Sequence, residues 1–217
     1  HVCFDKTGTL TENTVRLEAV VGSEKMQNGG EGESISKGID LGESRVVELM
    51  ACCNGLSLIN GKITGDPIDE ELFLATDFTF EEKYLENSDG IEKKIYPSLA
   101  FRQRHGLGPE VFYTQVKINE FDASRRRVSV AVKASNAPGL SVFVKGTPET
   151  LRKLCKNETV PENFDEFLAL QSEKGLRVLA MAYRKIDELG PETPDLSADS
   201  LEKDLEFLGL LLLANPI

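Results

Sequence analysis

Val111 to Lys145 reads VFYTQVKINEFDASRRRVSVAVKASNAPGLSVFVK, and this stretch decides the fold. Three segments rich in β-branched and aromatic residues, Val111 to Phe121, Arg126 to Lys133 and Leu140 to Lys145, are separated by turn signals, the last being Asn136-Ala137-Pro138-Gly139. An antiparallel meander is the expectation. Downstream, Thr147-Pro148-Glu149 has a capping residue followed by proline and predicts a helix to about Cys155, and a second helix is expected from Glu162 to Lys174, stopped by Gly175. Leu176 to Tyr183 reads as a buried strand, and Ala198 to Asp204 as a short charged helix. Phe207 to Leu213 is almost continuously apolar, which suggests a strand of a parallel sheet covered on both faces, with His1 to Phe4 as its natural partner.

Working upstream, Thr14 to Val21 predicts a strand and Gly22 to Gly42 an acidic, glycine-rich loop. Between Glu43 and Leu56, apolar Val46, Val47, Leu49, Met50, Cys53 and Leu56 recur at helical spacing. Gly65-Asp66-Pro67 has the form of a helix start, with Asp66 as cap, Pro67 at the first helical position and Asp69 placed to reach back, and this helix is expected to run to about Thr76. Residues 86–110 mix glycine, proline and charge and predict a long loop.

The 217 residues carry 25 basic and 36 acidic side chains, a formal charge of −11 that repels phosphate backbones and disfavours general nucleic-acid binding. A 40% hydrophobic content is enough to bury a core. The longest apolar run, Phe207 to Ala214, falls far short of the ~20 residues a membrane-spanning helix needs. Cys3, Cys52, Cys53 and Cys155 show no metal-binding spacing and read as reduced thiols. The start, His-Val-Cys-Phe-Asp-Lys, has neither a secretory signal nor an initiating Met, which reads as a piece excised from a longer chain.

The chemistry begins at Asp5-Lys6-Thr7-Gly8-Thr9-Leu10-Thr11, a polar loop following the short apolar stretch Val2 to Phe4. A carboxylate at the carboxyl end of a strand can attack phosphorus: Asp5 would form an acyl phosphate, Gly8 would let main-chain amides approach the phosphoryl oxygens, and Thr7 and Thr9 would supply donors. Bringing two anions together requires a cation, so Mg²⁺ is implied, with Asp5 and Thr7 as its candidate ligands.

This heptapeptide resembles the phosphorylation signature of the P-type ATPases, ion and lipid pumps that cycle through an aspartyl phosphate. Hydrolytic phosphatases of the haloacid-dehalogenase type use a similar strand and aspartate but usually place a second Asp two residues on, where this chain has Thr7. Lys145-Gly146-Thr147-Pro148-Glu149 resembles the Lys-Gly-Ala-Pro-Glu motif of the same family's nucleotide-binding domain, with Thr147 in place of the commoner Ala. The match implies that Lys145 faces the nucleotide and that Gly146 keeps its approach open. Phe121 matches the family's adenine-stacking aromatic, although spacing alone leaves a core role equally open, and Arg126 stands where many members carry Lys. Asp69 matches an acidic residue near the adenine amino group, a role no more favoured by the sequence than helix capping. Arg177, within Gly175 to Ala180, matches an arginine that reaches the nucleotide phosphates, and a charge in an apolar strand calls for a partner.

The resemblance covers the whole chain and implies residues 1–12 as a stub of an α/β, haloacid-dehalogenase-like phosphorylation domain, 13–204 as an α+β nucleotide-binding domain with an antiparallel sheet flanked by helices, and 205–217 as a returning stub. ATP and Mg²⁺ are the implied ligands, and the implied partners are actuator, phosphorylation and transmembrane domains of the same polypeptide. Gly65 to Asp69 followed by Phe73, Leu154-Cys155 to Pro161, and Phe207 to Leu213 followed by Asn215 look most like the type-five subgroup, whose endolysosomal branch exports polyamines. That places the chain at the cytosolic face of an endolysosomal or plasma membrane. Two alternatives stay open: a phosphatase, and a non-catalytic module that uses the acidic loop for a partner.

Overall fold

A computed structural model describes residues 15–27, 33–34, 45–76, 78–84, 91–97, 111–187 and 195–214. Asp5, Thr7 and His1 to Phe4 lie outside them. The expected meander is present as β7 (Tyr113–Asp122), β8 (Arg127–Ala134) and β9 (Leu140–Gly146). It forms part of a nine-stranded sheet with the further strands β1 (Arg16–Gly22), β2 (Glu33–Ser34), β5 (Phe78–Tyr84), β6 (Ile91–Pro97), β10 (Arg177–Ile186) and β11 (Glu206–Ala214). The order is β2-β1-β11-β10-β9-β8-β7-β6-β5, with every neighbouring pair antiparallel. A two-stranded hairpin, β3 (Ser57–Ile59) and β4 (Lys62–Thr64), stands apart from it.

Side chains alternate across the pleat, so each central strand feeds two cores. Val130, Val132, Phe143, Met181 and Leu211 pack on one face with α2 (Arg45–Cys52) and α3 (Pro67–Leu74). Val142, Val144, Ala180, Ala182, Leu210 and Leu212 pack on the other with Met26 of α1 (Ser23–Gln27), Leu151 of α4 (Pro148–Leu154), Phe164 and Phe167 of α5 (Phe164–Glu173) and Leu201 of α6 (Ala198–Leu201). The architecture is thus a mostly antiparallel sheet flanked by helices, an α+β fold.

The sequence misleads most at β11. Its unbroken apolar run does mean burial on both faces, but the covering comes from helices packed on an antiparallel sheet: Leu213 pairs with Arg177 of β10 on one side and with Leu17 of β1 on the other. A parallel partner in His1 to Phe4 lies outside the described residues. Two loops also contain regular structure. Residues 91–97, expected as loop, form β6, and residues 23–27, within the expected acidic loop, form α1 and bury Met26 completely. Helix α2 is shorter than expected because Asn54, itself buried, turns back after its last turn, donating to the Ala51 carbonyl at 2.7 Å and accepting from the Leu56 amide at 3.2 Å.

Candidate functional site

Helix α3 begins as its sequence predicts, with a reassignment of roles. Asp66 caps it, accepting from the Ile68 amide at 2.9 Å, but Glu70, not Asp69, reaches back, accepting from the Gly65 amide at 2.7 Å. One position earlier on the helix, Asp69 turns inward instead. One of its oxygens accepts from the Gly55 amide at 3.2 Å and the other pairs with the Lys145 ammonium. The two side chains are 7% (Lys145) and 11% (Asp69) exposed, so the pair sits where water screens it little. The capping role considered for Asp69 therefore belongs to its neighbours.

Lys145, the last residue but one of β9, lies opposite Val128 of β8 and Met181 of β10. Arg177 opens β10 four residues before Met181, so the period-two alternation puts it on the same face as Lys145. It lies at the exposed start of the strand and makes no ion pair or hydrogen bond through its side chain among the described residues, so the partner expected for an arginine in an apolar strand is not needed. Phe121 is 65% exposed and belongs to neither core cluster, which removes the core alternative. It sits in β7 one residue before Asp122, which is in register with Arg127.

Between β7 and β8 the chain turns through Ala123 to Arg126. Asp122 organises the turn: its side chain accepts from the Ser124 amide at 2.7 Å and hydroxyl at 2.6 Å, and its carbonyl accepts from the Arg126 amide at 2.7 Å. Those Ser124 hydrogen bonds hold its carboxyl below the usual carboxylate range. Arg126 closes the turn at φ +54°, a left-handed conformation that costs a residue with a Cβ about 1 kcal/mol. Its carbonyl accepts from the Thr147 amide at 3.1 Å, and its side chain is exposed.

Gly146 explains why these strands can approach so closely. A Cβ there would lie 2.6 Å from both the Arg126 carbonyl oxygen and Arg127 Cβ. Its small size serves the contact between β8 and β9 rather than access to Lys145. Phe121, Arg126, Lys145, Gly146 and Arg177 thus gather at one end of β7 to β10, and α3 adds Asp69. Asp5 and Thr7 lie outside the described residues, and among the described residues no group of three or more His, Cys, Asp or Glu could hold a metal.

Sequence reasoning missed two residues. The Cys53 thiol lies 3.6 Å from the Phe143 carbonyl and 4.0 Å from that of Val128, buried beside Lys145, and burial pushes its pKa up to about 12. Glu202, its side chain 3% exposed, takes Arg127 and Arg125 as partners. Three consecutive arginines in a chain this acidic were the available signal for it.

The end of the sheet that carries these groups falls within the part of the chain that a known family describes. A model of the P-type ATPase cytoplasmic domain N matches residues 108–217. The chain belongs to the P-type ATPases. Its relatives include the polyamine-transporting ATPase 13A3 of Homo sapiens, 30% identical over 235 residues that cover 100% of this chain and 19% of that protein. The probable cation-transporting ATPase 13A4 of Homo sapiens is 35% identical over 223 residues, 99% of this chain and 18% of that protein. Cation-transporting ATPase 5 of Schizosaccharomyces pombe is 30% identical over 217 residues, 99% and 19% respectively. The P-type chain therefore spans about a fifth of the length of the curated relatives it matches. No helix among the described residues is long and apolar enough to cross a membrane.

Proposed function

We propose that this P-type ATPase chain binds ATP at the end of the sheet described above and carries, at Asp5, the carboxylate that ATP phosphorylates. The observation that carries the reading is that the buried Lys145–Asp69 pair, the exposed cations Arg126 and Arg177 and the exposed ring of Phe121 share one end of the sheet. The donor set suits a purine triphosphate. Phe121 offers a flat apolar face for stacking, the Lys145–Asp69 pair offers a donor and an acceptor for the purine edge, and Arg126 and Arg177 offer charge to the phosphates. Gly146 keeps β8 and β9 close enough for the Arg126 carbonyl to accept from the Thr147 amide.

Asp5 then attacks the γ-phosphorus and ADP leaves, giving an aspartyl phosphate. Thr7 stands where hydrolytic phosphatases usually carry their acid/base Asp, and this favours a transport cycle over a phosphatase. Asp5 and Thr7 would hold Mg²⁺, which would supply neutralisation between the two anions. In the whole protein the cycle drives a cation or polyamine across a membrane, endolysosomal or plasma, with actuator, phosphorylation and transmembrane domains on the same polypeptide. The pairing of β11 within the sheet supports extending the nucleotide-binding domain through Ala214, with the phosphorylation domain resuming after it.

The isolated chain binds ATP without turning it over. Titration followed by NMR or fluorescence gives saturable shifts at Phe121 and Lys145 that Phe121→Ala abolishes. Absence of binding at ATP concentrations on the order of millimolar overturns the reading.

A further inference from the structure

The three arginines Arg125, Arg126 and Arg127 have different fates. Glu202, at the end of α6 and far away in sequence, accepts from Arg127 Nε, from Arg125 Nη2 at 3.2 Å and from the Ser129 hydroxyl at 2.6 Å. Arg125 also reaches Asp199 at 2.6 Å, and Arg127 Nη1 donates to the Arg125 carbonyl at 3.0 Å, across the turn. Asn119 of β7 completes the network by donating to Ser129 Oγ at 3.0 Å. Only the middle arginine is left over. Arg126, flanked by two residues held on one carboxylate, makes no side-chain hydrogen bond or ion pair among the described residues.

We infer that Glu202 is a positioning residue for nucleotide binding: by holding Arg125 and Arg127 it fixes the turn in which Arg126 projects as the one arginine of the three available to a polyphosphate. This rests on the proposed ATP site. Arg126 is an unfavourable choice for a left-handed turn position, where Gly or Asn would sit more easily, so the turn itself does not account for its side chain. A network that anchors both neighbours and ties the Arg126 carbonyl to Thr147 limits where the guanidinium can go. A ligand contact made from a fixed turn loses less freedom on binding than one made from a mobile arginine.

The test compares ATP with adenosine, which lacks the phosphates, by measuring the dissociation constants of both for the 217-residue chain and its variants. The wild-type chain binds ATP more tightly, and Arg126→Ala reduces the difference to what Arg177 alone supplies. Glu202→Gln lowers the ATP preference roughly five-fold or more while leaving adenosine affinity unchanged, an effect of the size typical for coupled sites. The sign discriminates: deleting a negative charge from an acidic chain would by general electrostatics tighten ATP binding. Ser129→Ala, neutral and smaller by one oxygen, shifts the preference in the same direction by less. A folded Glu202→Gln chain whose ATP preference is unchanged or raised, or which loses ATP and adenosine affinity alike, overturns the inference and leaves the ATP site standing. Should circular dichroism show Glu202→Gln unfolded, Ser129→Ala decides, and an unchanged preference there overturns it too. If Arg126→Ala keeps the wild-type preference, Arg126 is not the phosphate ligand and the inference fails, while binding lost on Phe121→Ala upholds the site. A wild-type chain that binds neither ligand sinks both.

Discussion

The Lys145 ammonium and the Asp69 carboxylate, 76 residues apart in sequence, meet where the end of β9 faces the first turn of α3. Nothing in the local sequence of either requires the other. The pair ties a helix that covers one face of the sheet to the strand end that carries the candidate site, so fold stability and site geometry depend on the same contact.

Removing one partner leaves a buried charge without compensation, which costs about 3–5 kcal/mol. Asp69→Ala and Lys145→Met are each expected to lose that much in urea unfolding. The double variant Asp69→Leu with Lys145→Met should recover most of it, because two apolar side chains replace two charges. Strictly additive losses would show that the two groups do not act as a pair.

Gly146→Ala is expected to destabilise by about 1–3 kcal/mol, the usual cost of forcing a methyl group into a packed contact. The Arg126 carbonyl must move, so its hydrogen bond from the Thr147 amide weakens. Thermal unfolding reports the first effect and faster hydrogen exchange at Thr147 the second; an unchanged exchange rate would place the strain elsewhere.

At the start of α3, Asp66→Ala should cost about 1 kcal/mol by exposing the Ile68 amide. Glu70→Gln keeps an oxygen for the Gly65 amide and should change stability by no more than a few tenths of a kcal/mol. Equal effects in chemical denaturation would mean that charge near the helix start outweighs the hydrogen bonds.

Burial pushes the thiols of Cys53 and Cys155 up to about 12, and that of Cys52 well above its ordinary value. Native chain at pH 8 should therefore leave these three unmodified by iodoacetamide, with labelling appearing on unfolding. The pH dependence has a definite sign. Unfolded thiols lose their protons near pH 8.5 while the folded ones keep theirs, so stability is intact below that value and falls as pH rises towards about 12. Stability rising across that interval would contradict the buried placement.

The meander was legible because Val128, Val130 and Val132 mark one face of β8 by strict alternation. Strand β6 was not. Its register sets Lys94 opposite Glu81 and Lys93 opposite Glu82 of β5, so charge complementarity across two strands replaces the apolar period that a single sequence displays. The direction of β11 was hidden for another reason: an apolar run reports how many faces are covered, not which way its neighbours run. At the site, Lys145, Phe121 and Arg177 could be picked out by motif, but the inward turn of Asp69 depends on a helix phase that differs by one residue from the capping pattern. Glu202 finds its arginines only through the folding of a segment more than 70 residues downstream.

Arg16 and Ala214 are partners in the pairing of β1 with β11, and Leu213 lies opposite Arg177. The polypeptide thus enters and leaves the sheet side by side, through a two-stranded stem at the end where the candidate site lies. Asp5 is eleven residues before Arg16, so a fully stretched leash of roughly 36–40 Å bounds how far the carboxylate proposed as phosphoryl acceptor can lie from that stem, whatever path residues 1–14 take. Under the proposed function, the phosphorylatable carboxylate and the nucleotide site would be tethered to the same pair of strands.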